Sequence, residues 1–348
     1  MASTPRIDRL ERNNIINGNF DFWQRGASFV TASGYTSDRF QVTEASGGSV
    51  DVTRNTDVPT VAESGFQSRY SFRVDVNVAD VSIGNEGVYI SQRIEGNNYQ
   101  SIHAKKAVLS FWVKSNKTGQ YSCAFRNQAF DRSYVSPYTI NVTDTWEKKE
   151  IALTLDSAGT WLFDNTIGIR VAFSLMAGPT FNTPDANKNQ WINANATGLD
   201  SDVNFMDNAA NYIQFSQVML NEGEVAGAFS RSGRTIQEEL ANCQRYYEKS
   251  YDLDTVPGTA TSVGRLAHIR SNGLGGQTIY YKVRKRVAAN TTTLWTQGGV
   301  INNWFDVNSS VNRSVSVSNS GQWAMEISVG TAAALSGLIG HFTADAEL

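Results

Sequence analysis

The side chains that most often carry out chemistry are thinly spread. His103, His268 and His341 stand far apart, and neither HExxH, GxSxG, a phosphate-binding loop nor a dinucleotide fingerprint occurs. Each histidine is therefore read as structural or surface. Cys123 and Cys243 lack CxxC and CxxCH spacing and are too few for a disulfide framework or for four thiolates around zinc, so both are expected buried and reduced. Glycoside hydrolysis needs two carboxylates roughly 5–9 Å apart. The acids available for it, Asp131, Asp185, Asp200, Asp202 and Asp207, fall in ordinary polar loops, and no 20–30-residue repeat is visible. The expectation is a protein that is not an enzyme and requires no cofactor.

Saccharide recognition asks for less: an aromatic face for sugar C–H groups, and amides or acids for the hydroxyls. Residues 178–211, GPTFNTPDANKNQWINANATGLDSDVNFMDNAAN, combine many amides with Trp191 in a segment longer than an ordinary loop. Trp191 is read as a glycan contact or as the anchor of that loop. Trp112, Trp161, Tyr134 and Tyr138 complete the glycan-binding candidates. Trp112 alternates out of phase with Leu109, Phe111 and Val113, which places it on an outer sheet face, open to a sugar or to another subunit.

The elements that position these residues are strands. YSFRVDVNV, from Tyr70, sets Tyr70, Phe72, Val74, Val76 and Val78 on one face and Ser71, Arg73, Asp75 and Asn77 on the other. AVLSFWVKS, YSCAFRN, EIALTL, IGIRVAFSLMAG and YIQFSQVML alternate similarly between Gly-, Asn- and Ser-rich turns. Residues 13–229 are thus expected to form a two-sheet sandwich, a jelly roll. Residues 1–12 form a polar segment whose RIDRLER is too short for a coiled coil. RTIQEELANCQRYYEKS interrupts the strand pattern. Thr235 and Glu238 form a capping box, and Ile236, Leu240, Cys243 and Tyr247 predict a helix over about 235–249, within a 230–250 connection, with Ile236, Leu240 and Cys243 buried. Residues 251–348 predict a smaller C-terminal β sandwich, in which YKVRKR is a strand showing Lys282, Arg284 and Arg286 to water.

IINGNFDFWQRG near the chain start reads as architecture. Asn17 and Gly18 suit a tight turn, and Phe20, Phe22 and Trp23 can seal a sandwich mouth. Asp38 and Arg39 are expected to pair with each other or to pin that turn. The formal charge of −3 and pI near 5.7 give no general attraction to nucleic acid. No 18-residue apolar window offers membrane insertion, and MASTPRIDRLERNN lacks the apolar core of a secretory signal.

NNIINGNFDFWQRG followed by YTSDRF resembles the opening of carbohydrate-binding-module-like jelly rolls in tailed-phage fibre and tail proteins. YIQFSQVMLNEGEVAGAF resembles their closing strand and turn. EELANCQRYYEKSYD is similar to the helix that follows, with Tyr246 and Tyr247 in its motif, and YKVRKRVAA, WFDV and HFTADAEL resemble a small C-terminal β domain. The resemblance runs in order along nearly the whole chain. It implies a virion protein, a tail fibre or receptor-binding component recognising host-surface polysaccharide or lipopolysaccharide, trimeric and in contact with other virion proteins. A purely structural appendage, head decoration or fibre cap is the alternative. Related modules often hold a structural calcium between the first loop and an acid in the last strand. Here YIQFSQVML has Gln214 and Gln217 instead, leaving Asp21 and backbone carbonyls to compensate, so the metal is left undecided.

Overall fold

The computed structural model describes residues 12–270, 276–329 and 336–348. The polar segment and its RIDRLER stretch lie, apart from Arg12, outside the described residues. The chain is mainly β, and its N-terminal part is a jelly-roll sandwich of two antiparallel sheets. One sheet runs Ser28–Phe29, Ser49–Asn55, Ser71–Val78, Tyr212–Glu222, Lys106–Ser115, Glu147–Thr154. The facing sheet runs Trp191–Ile192, Ser133–Ile140, Gly119–Arg126, Ile167–Ala177, Gly87–Glu95, Phe40–Ala45, Gly34–Tyr35. The two-residue period seen in sequence fills the space between them: Phe72, Val74, Leu109, Phe111, Val113, Phe125, Val171, Phe173 and Phe215 are buried in one core.

The opening stretch belongs to that core. Phe20 packs against Phe40 and Phe72, with ring centroids 4.7 and 5.3 Å away, and Trp23 stacks on Phe72 at 5.6 Å. Asn17 and Phe20 take positive φ, 60° and 55°, to make the turn. A Cβ on Gly18 would stand 2.0 Å from the Val218 carbonyl oxygen, so the closing strand can come this near only to glycine. Asn13 completes the seam, accepting from Leu220 N–H at 3.1 Å and donating to Val218 O at 3.0 Å.

Asp38 and Arg39 do not pair with each other. Neighbouring side chains here leave the backbone in different directions: Asp38 accepts from Gln24 Nε2 at 2.8 Å, whereas Arg39 reaches Glu347 and lies over the Tyr246 ring. Asp38 does help to pin the opening turn, its N–H donating to Phe22 O and its carboxylate accepting from Gln24 N–H, while Asn17 Nδ2 donates to Phe22 O and to Asp38 O.

The helix spans Ile236–Gln244 and starts with the expected Thr235–Glu238 capping box. It ends earlier than its sequence pattern because Tyr247–Lys249 leaves as a strand, pairing with 343–345 of Ser336–Asp345. Its buried side also differs. Ile236 is 40% exposed and Leu240 half-buried, while Glu239 and Cys243 are fully buried. The apolar-stripe reading missed Glu239, whose carboxylate accepts from Asn17 N–H (2.5 Å), Gly233 N–H (2.6 Å) and the Ser232 hydroxyl (2.7 Å), turning that face inward.

The C-terminal β domain surrounds a second core of Ile279, Leu294, Trp304, Met325, Ile327, Leu338 and Phe342. Its axis is Ser336–Asp345, which pairs with Tyr247–Lys249, Leu266–Arg270, Thr291–Trp295 and Asn303–Asp306. YKVRKR forms no strand beyond Tyr280. Lys282 and Arg284 are exposed, but Lys285 is fully buried against Glu248 at 2.6 Å, and Arg286 turns inward to donate to Ala346 O and Glu347 O. For Arg286 these backbone acceptors replace the water that alternation had suggested.

Candidate functional site

Three of the five aromatic candidates converge at one edge of the sandwich. Trp191 sits in a two-residue strand opposite Tyr134, with ring centroids 5.4 Å apart, and meets Trp161 edge-on at 5.6 Å. The row continues inward to Tyr99, 5.4 Å from Trp161, and then to His103 and Phe163. Trp161 and Tyr134 are nearly buried and Tyr99 wholly so; Trp191 is half-buried and Phe163 is 39% exposed. Local folding fixes each ring. Trp191 Nε1 donates to Thr154 O at 2.8 Å, tying the long loop to the edge strand of the opposite sheet, and Trp161 Nε1 closes its own turn on Ala158 O at 2.7 Å. Trp191 is thus an anchor with part of its ring left to solvent.

Tyr134 and Thr154 also wall an open groove of about 380 Å³, floored by Ala107, Ala152 and Leu153 and rimmed by the exposed pair Lys106–Glu224. Near the row, Arg132 links Asp156 (2.6 Å) and Asn193 (2.5 Å), providing charged and amide hydrogen-bonding groups beside the rings. Burial raises the Tyr134 and Tyr99 hydroxyls, so both stay protonated donors at neutral pH. An apolar floor, a partly open indole and polar rims can hold a ring that has one C–H face and a hydroxyl edge.

The remaining candidates lie elsewhere. Tyr138 is core: it stacks on Tyr121 at 5.8 Å and meets Phe111 edge-on at 5.1 Å, because its alternation points between the sheets. It offers no surface for a glycan. Trp112 is half-buried on the outer face of its sheet, as its phase predicted, in register with Lys148 and Ser216 and apart from the aromatic row.

Much of the amide-rich loop is used internally. Ala196 and Leu199 pack on Tyr89, Ala124, Val135 and Ala172 over the outer face of a sheet. Asn195 accepts from Arg126, and Asn189 from Ser136. The loop is thus a cover for that face, with Asn193 and Trp191 at its open margin.

The acids considered for hydrolysis are tied locally: Asp131 to Asn127, Asp185 to Ser201, and Asp207 to Lys117 and Asn211. His341 is a buried structural residue, bonded to Ser250 and Thr261 O and stacked 3.8 Å from Tyr251. The residues do not fit a calcium. Asp21 pairs with Arg231 at 2.8 Å, while Gln214 and Gln217 turn their amide nitrogens to Asp57 and Ser68. Among the described residues, no group of three His, Cys, Asp or Glu side chains is placed to hold a metal ion.

Sequence reasoning missed Tyr99, His103 and Phe163, which join the row only through the fold. It also missed Tyr280 and Trp323, exposed at 77% and 63% on the C-terminal domain. Tyr280 ends the strand Gly276–Tyr280 opposite the small Ala324, and Trp323 directly precedes the strand Ala324–Val329.

No protein-family model matches the chain, and neither does any curated protein. Among solved structures, the chain is similar to the enzymatically active domain of bacteriophage CBA120 tailspike protein 4 (15% identity, TM-score 0.31, 61% of this chain and 21% of that one). It is also similar to a family 11 carbohydrate-binding module from Clostridium thermocellum in complex with a β-1,3-1,4-mixed-linked tetrasaccharide (10%, TM-score 0.31, 58% and 99%). A third is TmCBM61 in complex with β-1,4-galactotriose (11%, TM-score 0.31, 61% and 99%).

Proposed function

We propose that this chain is a non-enzymatic virion protein of a tailed phage, a tail-fibre or receptor-binding component that recognises host-surface polysaccharide or lipopolysaccharide. It acts as a homotrimer among other virion proteins. The observation that carries the glycan reading is the Tyr134–Trp191–Trp161 row beside the groove walled by Tyr134 and Thr154. A half-open indole held by a hydrogen bond and two neighbouring rings is pre-organised to stack on a sugar without losing side-chain entropy on binding. The phage reading rests on the ordered resemblance of the opening, closing strand, helix and C-terminal segments.

The test is a glycan array and titration with host envelope polysaccharide and lipopolysaccharide, comparing the folded protein with Trp191→Ala. Loss of a stacked hot-spot ring is expected to weaken binding by at least about tenfold. Unchanged binding rejects this residue assignment. The second reading, a structural appendage without sugar binding, is favoured by exposed Tyr280 and Trp323, which suit burial in an assembly. Failure of the native oligomer to bind any host glycan would support that reading.

A further inference from the structure

Three arginines face one another across adjacent strands without a carboxylate between them. Arg170 of Ile167–Ala177 is directly opposite Arg126 of Gly119–Arg126 on one side and Arg93 of Gly87–Glu95 on the other. Direct cross-strand partners share a face, and here it is the outer face of the sheet, since Val171, Phe125 and Ile94 fill the core on the inner one. Like charges placed in this way repel. Among the described residues neither Arg126 nor Arg170 makes an ion pair with a carboxylate.

Nor is water available to screen them all. Arg126 is fully buried and Arg170 is 7% exposed. Arg126 Nη1 donates to Asn195 Oδ1 at 2.9 Å, and Arg170 Nη1 donates to the carbonyls of Asn127 and Gln128. Arg93 Nη1 donates to Leu348 O. Yet Arg126 Nε and Nη2, Arg170 Nε and Arg93 Nε are buried without an acceptor. Burial, with repulsion from Arg93 and Arg126, lowers the Arg170 pKa to about 10. Against the effect of its own burial, Tyr89 is lowered first by the charge of Arg126, then by hydrogen bonding to Thr43 and Arg126, and last by the charge of Arg170. Two rings lie over the cluster: Tyr89, 4.8 Å from the Arg126 guanidinium carbon, and Phe130, 4.1 Å from that of Arg170 and 5.0 Å from that of Arg126. Phe130 is 36% exposed, with φ 60°, in the turn joining Gly119–Arg126 to Ser133–Ile140.

We propose that Arg93, Arg126 and Arg170 form an oxyanion site for a phosphate- or carboxylate-bearing ligand, admitted when the Phe130 ring moves off the cluster. A tetrahedral or carboxylate anion supplies acceptors for the four unpaired guanidinium nitrogens and offsets the facing charges of Arg126 and Arg170; guanidinium forks suit such anions. The site is separate from the groove at Trp191 and does not depend on sugar recognition there.

The test is isothermal titration of the native protein with inorganic phosphate, sulfate, glucuronate and neutral glucose at constant ionic strength. Saturable one-to-one binding of at least one anion, without glucose binding at this site, is expected. Arg170→Gln and Arg126→Gln should each weaken it at least about tenfold, Trp191→Ala should leave it unchanged, and Phe130→Ala should tighten it or speed it. A response to phosphate alone assigns a phosphate group, and a response to glucuronate assigns a sugar carboxylate. The proposal is overturned if the wild type and Phe130→Ala both respond to these anions no more than to chloride, or if both arginine variants retain full affinity. Should the arginine variants fold poorly, the comparison of the wild type with Phe130→Ala still decides, because that ring is at the surface.

Discussion

Arg39 of the jelly roll holds its guanidinium carbon 3.4 Å from the ring centroid of Tyr246, beyond the helix, and pairs with Glu347 of the C-terminal segment through the same group. Around this point Arg25 reaches Asp345 at 2.9 Å, the Tyr35 hydroxyl donates to Leu348 O at 2.9 Å, and Ala346 N–H donates to Tyr246 O at 2.7 Å. Two cores and the helix are therefore joined by buried charge as well as by the small apolar cluster of Ile16, Phe22, Cys243 and Tyr246.

Breaking one partner of this latch leaves the other charged and dry. Arg39→Ala is expected to cost about 3–5 kcal/mol, the range for a stranded buried charge. In urea, intrinsic fluorescence should then resolve two transitions, one for each β domain. A single transition at the wild-type midpoint would show that the latch does not couple them.

The helix makes a contrast within one element. Glu239→Ala removes the acceptor of three N–H or O–H donors and should cost about 2–4 kcal/mol, from hydrogen bonds to a charged group at roughly 1.5–3 kcal/mol each and partial rescue by water. Leu240→Ala, at a half-buried position, should cost less than Glu239→Ala. Equilibrium unfolding of the two variants checks the order.

Two indoles in contact should separate stability from recognition. Trp161→Ala opens the buried end of the row and is expected to lower stability by about 3–5 kcal/mol. Trp191→Ala removes a ring still partly in solvent and should lower stability less while acting more on glycan affinity. Thermal unfolding run beside the glycan titration reads both.

The pH dependence has two opposite arms. Burial pushes Asp38 up to about 6 from an ordinary value near 3.8, against the pull of Arg25 and the Gln24 hydrogen bonds. The folded state then binds this proton more tightly, so the contribution is fully present below about pH 3.8 and is lost as pH rises through 6. Burial would raise Asp306 too, but bonds from Ser309, Asn308 N–H and Arg313 bring it down to about 2. That contribution is present above about 3.8 and is lost as pH falls towards 2. Urea midpoints at pH 7, 5 and 3 should therefore lose part of their rise between pH 7 and 5 in Asp38→Asn, and part of their fall below pH 4 in Asp306→Asn.

Alternation made the sandwich legible because strands such as Ser71–Val78 turn every second side chain to the core, as Phe72, Val74 and Val76 do. The helix start was legible for a similar reason, since the Thr235–Glu238 cap is local. Its buried face was not: Glu239 goes inward to accept from Asn17 N–H, more than two hundred residues earlier in the chain, as well as from Ser232 and Gly233. Arg286 defeated the alternation rule likewise, because its acceptors, the 346–347 carbonyls, come from another part of the fold. At the candidate site, residue type singled out Trp191, Trp161 and Tyr134, but their contact depends on two sheet edges meeting. Tyr138 shares their chemistry and the face of Ser133–Ile140 that carries Tyr134, but it sits further along the strand, inside the core against Tyr121 and Phe111.

The pairing of Ser336–Asp345 with four earlier strands sets an order of events during synthesis. Tyr247–Lys249, Leu266–Arg270, Thr291–Trp295 and Asn303–Asp306 all leave the ribosome before the strand that joins them exists. At a usual elongation rate of about 5–20 residues per second, Tyr247–Lys249 waits roughly 5–20 s for its partner. During that interval the jelly roll, whose closing strand Tyr212–Glu222 has already emerged, can fold, while the four strands that pair with Ser336–Asp345 keep their edges towards it unpaired. Neighbouring chains on one message meet in that state, so strand exchange between them competes with closure within each chain.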